Sequence, residues 1–293
     1  PMYDSICTQF RGSIVNLSSG TEYEVRAVIK DKYGGEIQTH ENNICTWTDN
    51  PTIGREIKLS DIYSGSGPVV IRNLHGDEKS WIRIDCEGKE INAGYNQIAA
   101  VLMYDCEYVI FENAVITGGD RYGIDVTGRC KNIRISNCDV SGWGREGWLD
   151  LRLGNYMYDG NPRNLEGGIM LGEVTNVTVE RCYIHDPNTK TNTWKGPTWK
   201  NLHPCGSDAI TMAMMSGMVV RYNDFIGSDS HRWNDAMESY ANGSRIMHGT
   251  GDDSDVYGNM FYCSEDDCIE LDGGQMNVRV YNNRMEQSLC GIS

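Results

Sequence analysis

The chain has 293 residues, with 41 Asp and Glu against 26 Lys and Arg, a formal charge of −15 at pH 7. That sign argues against nucleic acid or an anionic membrane as partner. The length suits one large domain plus a small one, and no apolar run approaches the roughly 18 residues of a membrane span.

Residues 1 to about 49 differ from the rest. The run LSSGTEYEVRA at 17–27 sets a Gly-Thr turn and Tyr23 before an alternating strand. It resembles the late part of a fibronectin type III domain, which implies a corner hydrogen bond from Tyr23. A hairpin turn is expected at 31–35 and a last strand at 37–48. What precedes Leu17 is short for a whole sandwich. The expectation is therefore a partial module over 1–49, or a hairpin capping the next domain, with Cys7 and Cys45 placed to close it. Residues 49–52, Asp-Asn-Pro-Thr, read as a linker to a second domain over 50–293.

That second domain repeats. After strands at 68–73 and 81–85, one line recurs as YVIFENAVI (108–116), NIRISNCDV (132–140), NVTVERCYI (176–184), GMVVRYNDF (217–225) and NVRVYNNRM (277–285). Its template is apolar, x, apolar, x, Asn or Arg, x, x, apolar. A second line recurs around Ile124, Ile169, Ile210, Met237 and Ile269, with a further opening at 290–293. Repeats of this length, β-branched and without helical period, specify a parallel β-helix, an all-β solenoid. A solenoid end needs a polar cap. A new coil opens just before Ser293, so the repeats are expected to run on.

Coils stack at about 4.8 Å, so residues in one column form a ladder. The densest acidic stretch is SEDDCIELDGG at 264–274. Aligned on the central apolar residue, Asp208, Asp235 and Asp267 share one column, and Thr211, Glu238 and Glu270 another. The reading places Glu238 and Glu270 on neighbouring coils of an outer face, with the aspartates at its edge. From 201 onward, fourteen Asp and Glu face five Arg, a net −9, so the negative charge gathers here.

Eleven cysteines include matched places, Cys106 with Cys130 and Cys138 with Cys182, which are compatible with disulfides or with an unlinked ladder. No C-x-x-C pair suggests zinc. Sequons at Asn16, Asn176 and Asn242 fit a secreted or cell-surface glycoprotein, although no signal peptide is visible at Pro1. Three insertions, 141–166, 185–206 and 226–234, carry Trp143, Trp148, Trp194, Trp199 and Trp233. Their rings suit sugar faces or pin the loops to the scaffold. The substrate-binding candidates are Trp194, Trp199, Trp233, His231 and Arg232.

The stacked coils and the Asp266-Asp267-Cys268-Ile269 run resemble the pectin lyase-like superfamily, which includes polygalacturonases. The resemblance implies a right-handed parallel β-helix, and glycosidic-bond hydrolysis by Asp266 and Asp267 together with an Asp of the preceding coil, Asp235 being the nearest match. Two departures stand against it: no Gly-His-Gly follows the pair, and no Arg-x-Lys lies downstream. An acidic pectin substrate therefore does not follow.

Independently, glycoside hydrolysis needs one protonated and one ionised carboxyl, and crowding supplies the pKa splitting. The catalytic candidates are Asp267 and Glu270, then Asp235 and Glu238, then Asp208 and Asp266. No cofactor is required. Calcium is a possible ligand of Asp252, Asp253 and Asp255, through their oxygens. The expected function is hydrolysis of a neutral or weakly charged polysaccharide. The alternatives are a non-catalytic extracellular structural, adhesive or filament-forming protein, self-assembling through its repeats or N-terminal module, and a polysaccharide lyase.

Overall fold

The computed structural model describes residues 2–4, 8–158, 160–162, 165–194, 203–240, 251–271 and 276–293. Two compact units result, Pro1–Thr52 and Ile53–Ser293. Among the described residues, no helix is long and apolar enough to cross a membrane.

In the first unit, Glu22–Lys30 pairs antiparallel with Glu36–Cys45, and Met2–Asp4 pairs with Gln9–Arg11. Asp31 organises the hairpin turn, its Oδ1 accepting the N–H groups of Tyr33 and Gly35 at 2.8 Å each. The Tyr23 hydroxyl accepts the Ser18 N–H at 2.7 Å. A sandwich is not formed among the described residues. Glu36–Cys45 is exposed at every position, because EIQTHENNIC offers no apolar face to a second sheet. Cys45 is a free, exposed thiol, and Cys7 lies outside the described residues.

The second unit is a right-handed parallel β-helix. Strands in corresponding places of successive coils pair in register. In one wall Ile124, Ile169, Ile210, Met237, Ile269 and Ile292 form a continuous column. In another the column is Ile84, Phe111, Ile135, Val179, Val220, Val256 and Val280. In the third it is Ile91, Ile116, Val140, Ile184, Phe225, Phe261 and Met285. These columns converge on one core, and each buried aliphatic or aromatic side chain contributes roughly 1.5–3 kcal/mol. Ile53–Lys58 adds an earlier strand beside Trp81–Asp85. The one-turn helix Leu59–Ile62 follows it, with Leu59 fully buried.

The Asn-or-Arg position of the template has a backbone cause. Asn113, Asn137, Arg181, Tyr222, Gly258 and Asn282 all adopt positive φ, between 51° and 68°. Each is the single left-handed residue that turns the chain between walls, a conformation in which Asn and Gly are favoured. Gly258 belongs to a coil that the template passes over, with Val219 opposite Asp255 and Val220 opposite Val256.

Just past this turn the inward column changes chemistry. Cys138 and Cys182 are followed by Asn223, Asn259 and Asn283. Asn259 Oδ1 accepts the Asn223 backbone N–H at 2.9 Å and its Nδ2 at 3.0 Å, while Asn259 Nδ2 donates to Val220 O and Asn283 Oδ1 at 3.0 Å each.

Among the described residues no disulfide forms. Cys106, Cys130, Cys138 and Cys182 are buried free thiols. In-register parallel strands hold facing Cβ atoms about 4.8 Å apart and pointing the same way, beyond the roughly 3.5–4.5 Å that a disulfide needs.

All three insertions leave the helix at one corner, after Asp139–Ser141, Tyr183–His185 and Asp224–Ile226. The first folds into a three-stranded antiparallel sheet, Trp148–Asp150, Asn155–Tyr158 and Asn161–Pro162. It is fastened by buried Glu166, which pairs with Arg145 and accepts the Thr189 hydroxyl at 2.6 Å.

Candidate functional site

The acidic columns stand on consecutive coils. Ile210 lies opposite Met237 and Thr211 opposite Glu238, and Met237 lies opposite Ile269. Asp208, Asp235 and Asp267 therefore occupy matching places, two residues before those apolar partners. The outer-face expectation needs correction: the acids are buried. Asp208 is fully enclosed, and Asp235, Glu238, Asp267 and Glu270 are between 1% and 9% exposed. Ser207–Ala213 is buried along nearly its whole length, so both faces of this wall are covered here.

Hydrogen bonds inside this group are short. Thr211 donates to Asp208 Oδ2 at 2.9 Å. Asn234 Nδ2 bridges Asp235 Oδ2 and Glu238 Oε2 at 3.0 and 2.8 Å. The Asp267 N–H donates to Asp235 Oδ1 at 2.7 Å. Two sets of carboxyl oxygens converge within 4.8 Å: Asp235 with Glu238 and Glu270, and Asp235 with Asp266 and Asp267. These are the described residues best placed to hold a metal.

Burial dominates the electrostatics. It pushes the Asp235 carboxyl up to about 9, helped by the Asp208 charge. Glu238 is raised to about 11 by burial and then by Asp208 and Asp235. Asp208 itself is pushed well above the carboxylate range, again by burial first. Asp266 is raised to about 6 by burial and the Asp267 charge, with His203 opposing. These shifts are what crowding carboxyls away from water produces.

Asp266 lies toward the surface. His203 Nε2 stands 3.5 Å from its Oδ2, and the His203 ring packs on Trp194 with centroids 5.1 Å apart. Trp194 is tied to the same coil, its Nε1 donating to Glu265 O at 3.1 Å. Trp194 and Arg232 line an open cleft of about 610 Å³ with Thr193, Ser264, Glu265, Gln287, Ser288 and Leu289. Arg232 reaches Glu265 at 3.3 Å and Asp229 at 2.9 Å. His203 gave no sequence signal as a partner of Asp266, since 63 residues of insertion and coil separate them.

The other candidates fare differently. Trp233 does not line the cleft: it is wholly buried and stacks on Trp143 at 5.9 Å and 10°. An indole enclosed on both sides presents no face to a sugar, so here the ring pins its loop. His231 is held by the Pro187 carbonyl at 2.8 Å. Trp199 lies outside the described residues, as does Asp272.

Among the described residues, Asp252, Asp253 and Asp255 are not one of the groups of converging oxygens. Asp252 Oδ1 accepts the Met276 N–H at 3.0 Å, Asp253 Oδ1 accepts Asn277 Nδ2 at 2.7 Å, and Asp255 pairs with both Nε and Nη2 of Arg279. They are rung contacts of the coil bearing Val256, and each carboxylate faces the next coil.

The family model described as "Right handed beta helix region" matches residues 85–293. Among solved structures, the A-module of the mannuronan C-5 epimerase AlgE4 of Azotobacter vinelandii is similar. Identity is 12% and the TM-score 0.38, over 81% of this chain and 78% of that one. No curated protein matches.

Proposed function

The chain belongs to the right-handed β-helix family, and from that premise we propose that it is a glycoside hydrolase acting on a polysaccharide. The observation that carries this reading is the convergence of Asp235, Asp266 and Asp267 oxygens within 4.8 Å, from two successive coils, beside a cleft walled by an indole. In this reading Asp266 is the general acid. It is the outermost of the three, 13% exposed at its side chain, and His203 sits against it. Asp267 acts as its partner across the scissile bond, and Asp235 fixes Asp267 through the backbone N–H it accepts.

Trp194 supplies an apolar wall on which a sugar ring can stack, and Arg232 supplies donors for its hydroxyls. The surrounding negative charge disfavours a polyanionic glycan. The interior acids Glu238, Glu270 and Asp208 take no direct part.

The test is reducing-sugar release across a panel of neutral and weakly charged polysaccharides, with Asp266→Asn and Asp267→Asn alongside the parent. Each variant is expected to lose about 10²–10⁴-fold in turnover, the usual contribution of a positioned acid or base. Turnover unchanged in both would remove the assignment. A parent inert on every glycan would favour the non-catalytic wall, the reading that burial of the interior acids supports.

A further inference from the structure

The two cleft side chains offered to a glycan come from different insertions. Trp194 belongs to 185–206 and Arg232 to 226–234. Groups on separate loops keep a fixed spacing only where one loop bonds the other. Their tips meet on one residue: Trp194 Nε1 donates to Glu265 O at 3.1 Å, and Arg232 Nε stands 3.3 Å from Glu265 Oε1.

Thr191 ties their bases. Its hydroxyl donates to the Arg232 carbonyl at 2.6 Å and accepts the Ser207 N–H at 3.4 Å. Ser207 forms a parallel bridge with Trp233, whose carbonyl accepts the Glu265 N–H at 2.9 Å. A closed circuit results, from Thr191 to Arg232, from Trp233 to Glu265, and from Glu265 back to Trp194, three residues along from Thr191. The sequence leaves room for the hydroxyl. A Cβ on Gly206 would stand 1.9 Å from Thr191 Oγ1, so a side chain at 206 would expel it.

Two residues earlier the same device faces another way. The Thr189 hydroxyl lies 2.6 Å from Glu166 Oε2 and 2.9 Å from Arg145 O, and a Cβ on Gly144 would stand 2.2 Å from it. Thr189 thus fastens the second insertion to the first, and Thr191 fastens it to the third. Neither Arg145 nor Glu166 lines the cleft.

We infer that Thr191 is a positioning residue of the cleft: its hydroxyl sets the spacing between Arg232 and Trp194. It touches neither a sugar nor the reacting atoms, and acts through the Arg232 backbone. Its kinetic consequence rests on the hydrolase reading, whereas its consequence for the placement of Trp194 does not.

The experiment uses the full chain and three variants. Thr191→Val keeps the branched shape and removes the hydroxyl, and Thr191→Ser keeps the hydroxyl. Thr189→Val removes the matching bond on the side away from the cleft. On a glycan that the parent hydrolyses, Thr191→Val is expected to raise KM about tenfold with kcat little changed, the mark of lost binding. Thr191→Ser should restore the parent KM. Thr189→Val should keep it, although both valines lower the melting temperature. The second readout needs no glycan. The indole N–H signal of Trp194 in a proton–nitrogen NMR spectrum, identified by its loss in Trp194→Phe, should move in Thr191→Val. It should stay in place in Thr191→Ser and Thr189→Val. If Thr191→Val fails to fold, Thr191→Ala replaces it in both measurements. An unmoved Trp194 signal without the hydroxyl would overturn the assignment even where no glycan is cleaved. So would an unchanged KM in Thr191→Val, or an equal rise in Thr189→Val. A parent inert on every glycan, with the signal displaced as expected, would sink the hydrolase reading and support the positioning role.

Discussion

Raising the pH should destabilise the chain steeply, and the slope can be worked from the buried acids. Asp235 is raised from 3.8 to about 9 and Glu238 from 4.5 to about 11, both chiefly by burial. Between pH 5.5 and 7.5 each holds its proton when folded and loses it when unfolded. Each such proton costs about 1.4 kcal/mol of stability per pH unit, because the folded state binds more protons than the unfolded one. Stability from this source is full below the unfolded values and falls as pH climbs toward the folded ones. Two groups give a fall of about 2.7 kcal/mol per unit, and Asp208, shifted the same way, makes it steeper.

The assay is urea unfolding at several pH values. With a slope on urea near 3 kcal/mol/M, the midpoint should drop by about 1 M per pH unit. Glu238→Gln, which cannot ionise, should flatten the dependence by about 1.4 kcal/mol per unit. A midpoint that stays level or rises between pH 5.5 and 7.5 would mean that these carboxyls are ionised or solvated, and would refute the reasoning.

Three further outcomes are expected. Asn259→Ala removes four hydrogen bonds and strands the buried Asn223 N–H, so urea unfolding should show a loss of about 3 kcal/mol or more. Trp233→Ala should cost about 3–5 kcal/mol by the same method, as a core truncation does; unchanged stability with lost glycan binding would reverse its assignment as a pin. A thiol reagent should label Cys45 and Cys290 in the native chain, with Cys106, Cys130, Cys138 and Cys182 reacting only after denaturation. Linked pairs would leave those four unlabelled without reductant.

The coil structure was legible because an inward apolar residue at every second position of a strand is a local signal that survives in each copy. Ile124, Ile169 and Ile210 announce their column in the sequence. The acidic register was legible for the same reason. What was not legible is burial, because it depends on residues brought over the wall from elsewhere in the chain. Glu238 reads as an outward residue and is outward in strand alternation, yet it is covered.

The coil with Val256 was missed because Ser254 and Gly258 stand where the template has an apolar residue and Asn or Arg. Its acids then looked like a free cluster. The signal for the Asn column was present, since Asn223 and Asn283 fall at one position of two copies, but an inward amide ladder breaks the rule that buried columns are apolar. Trp233 misled because its neighbours His231 and Arg232 are polar, and Trp143, the ring that stacks on it, comes from a different insertion.

The corner that bears the long insertions has a consequence for how such a chain can diversify. One coil turns there within a few residues, and the next departs for an entire small sheet before returning to the same rung. Lengthening at that vertex leaves hydrogen bonding of the walls untouched, since each strand answers only to those above and below it. New surface can thus be trialled one storey at a time, and a failed trial costs a loop rather than the building.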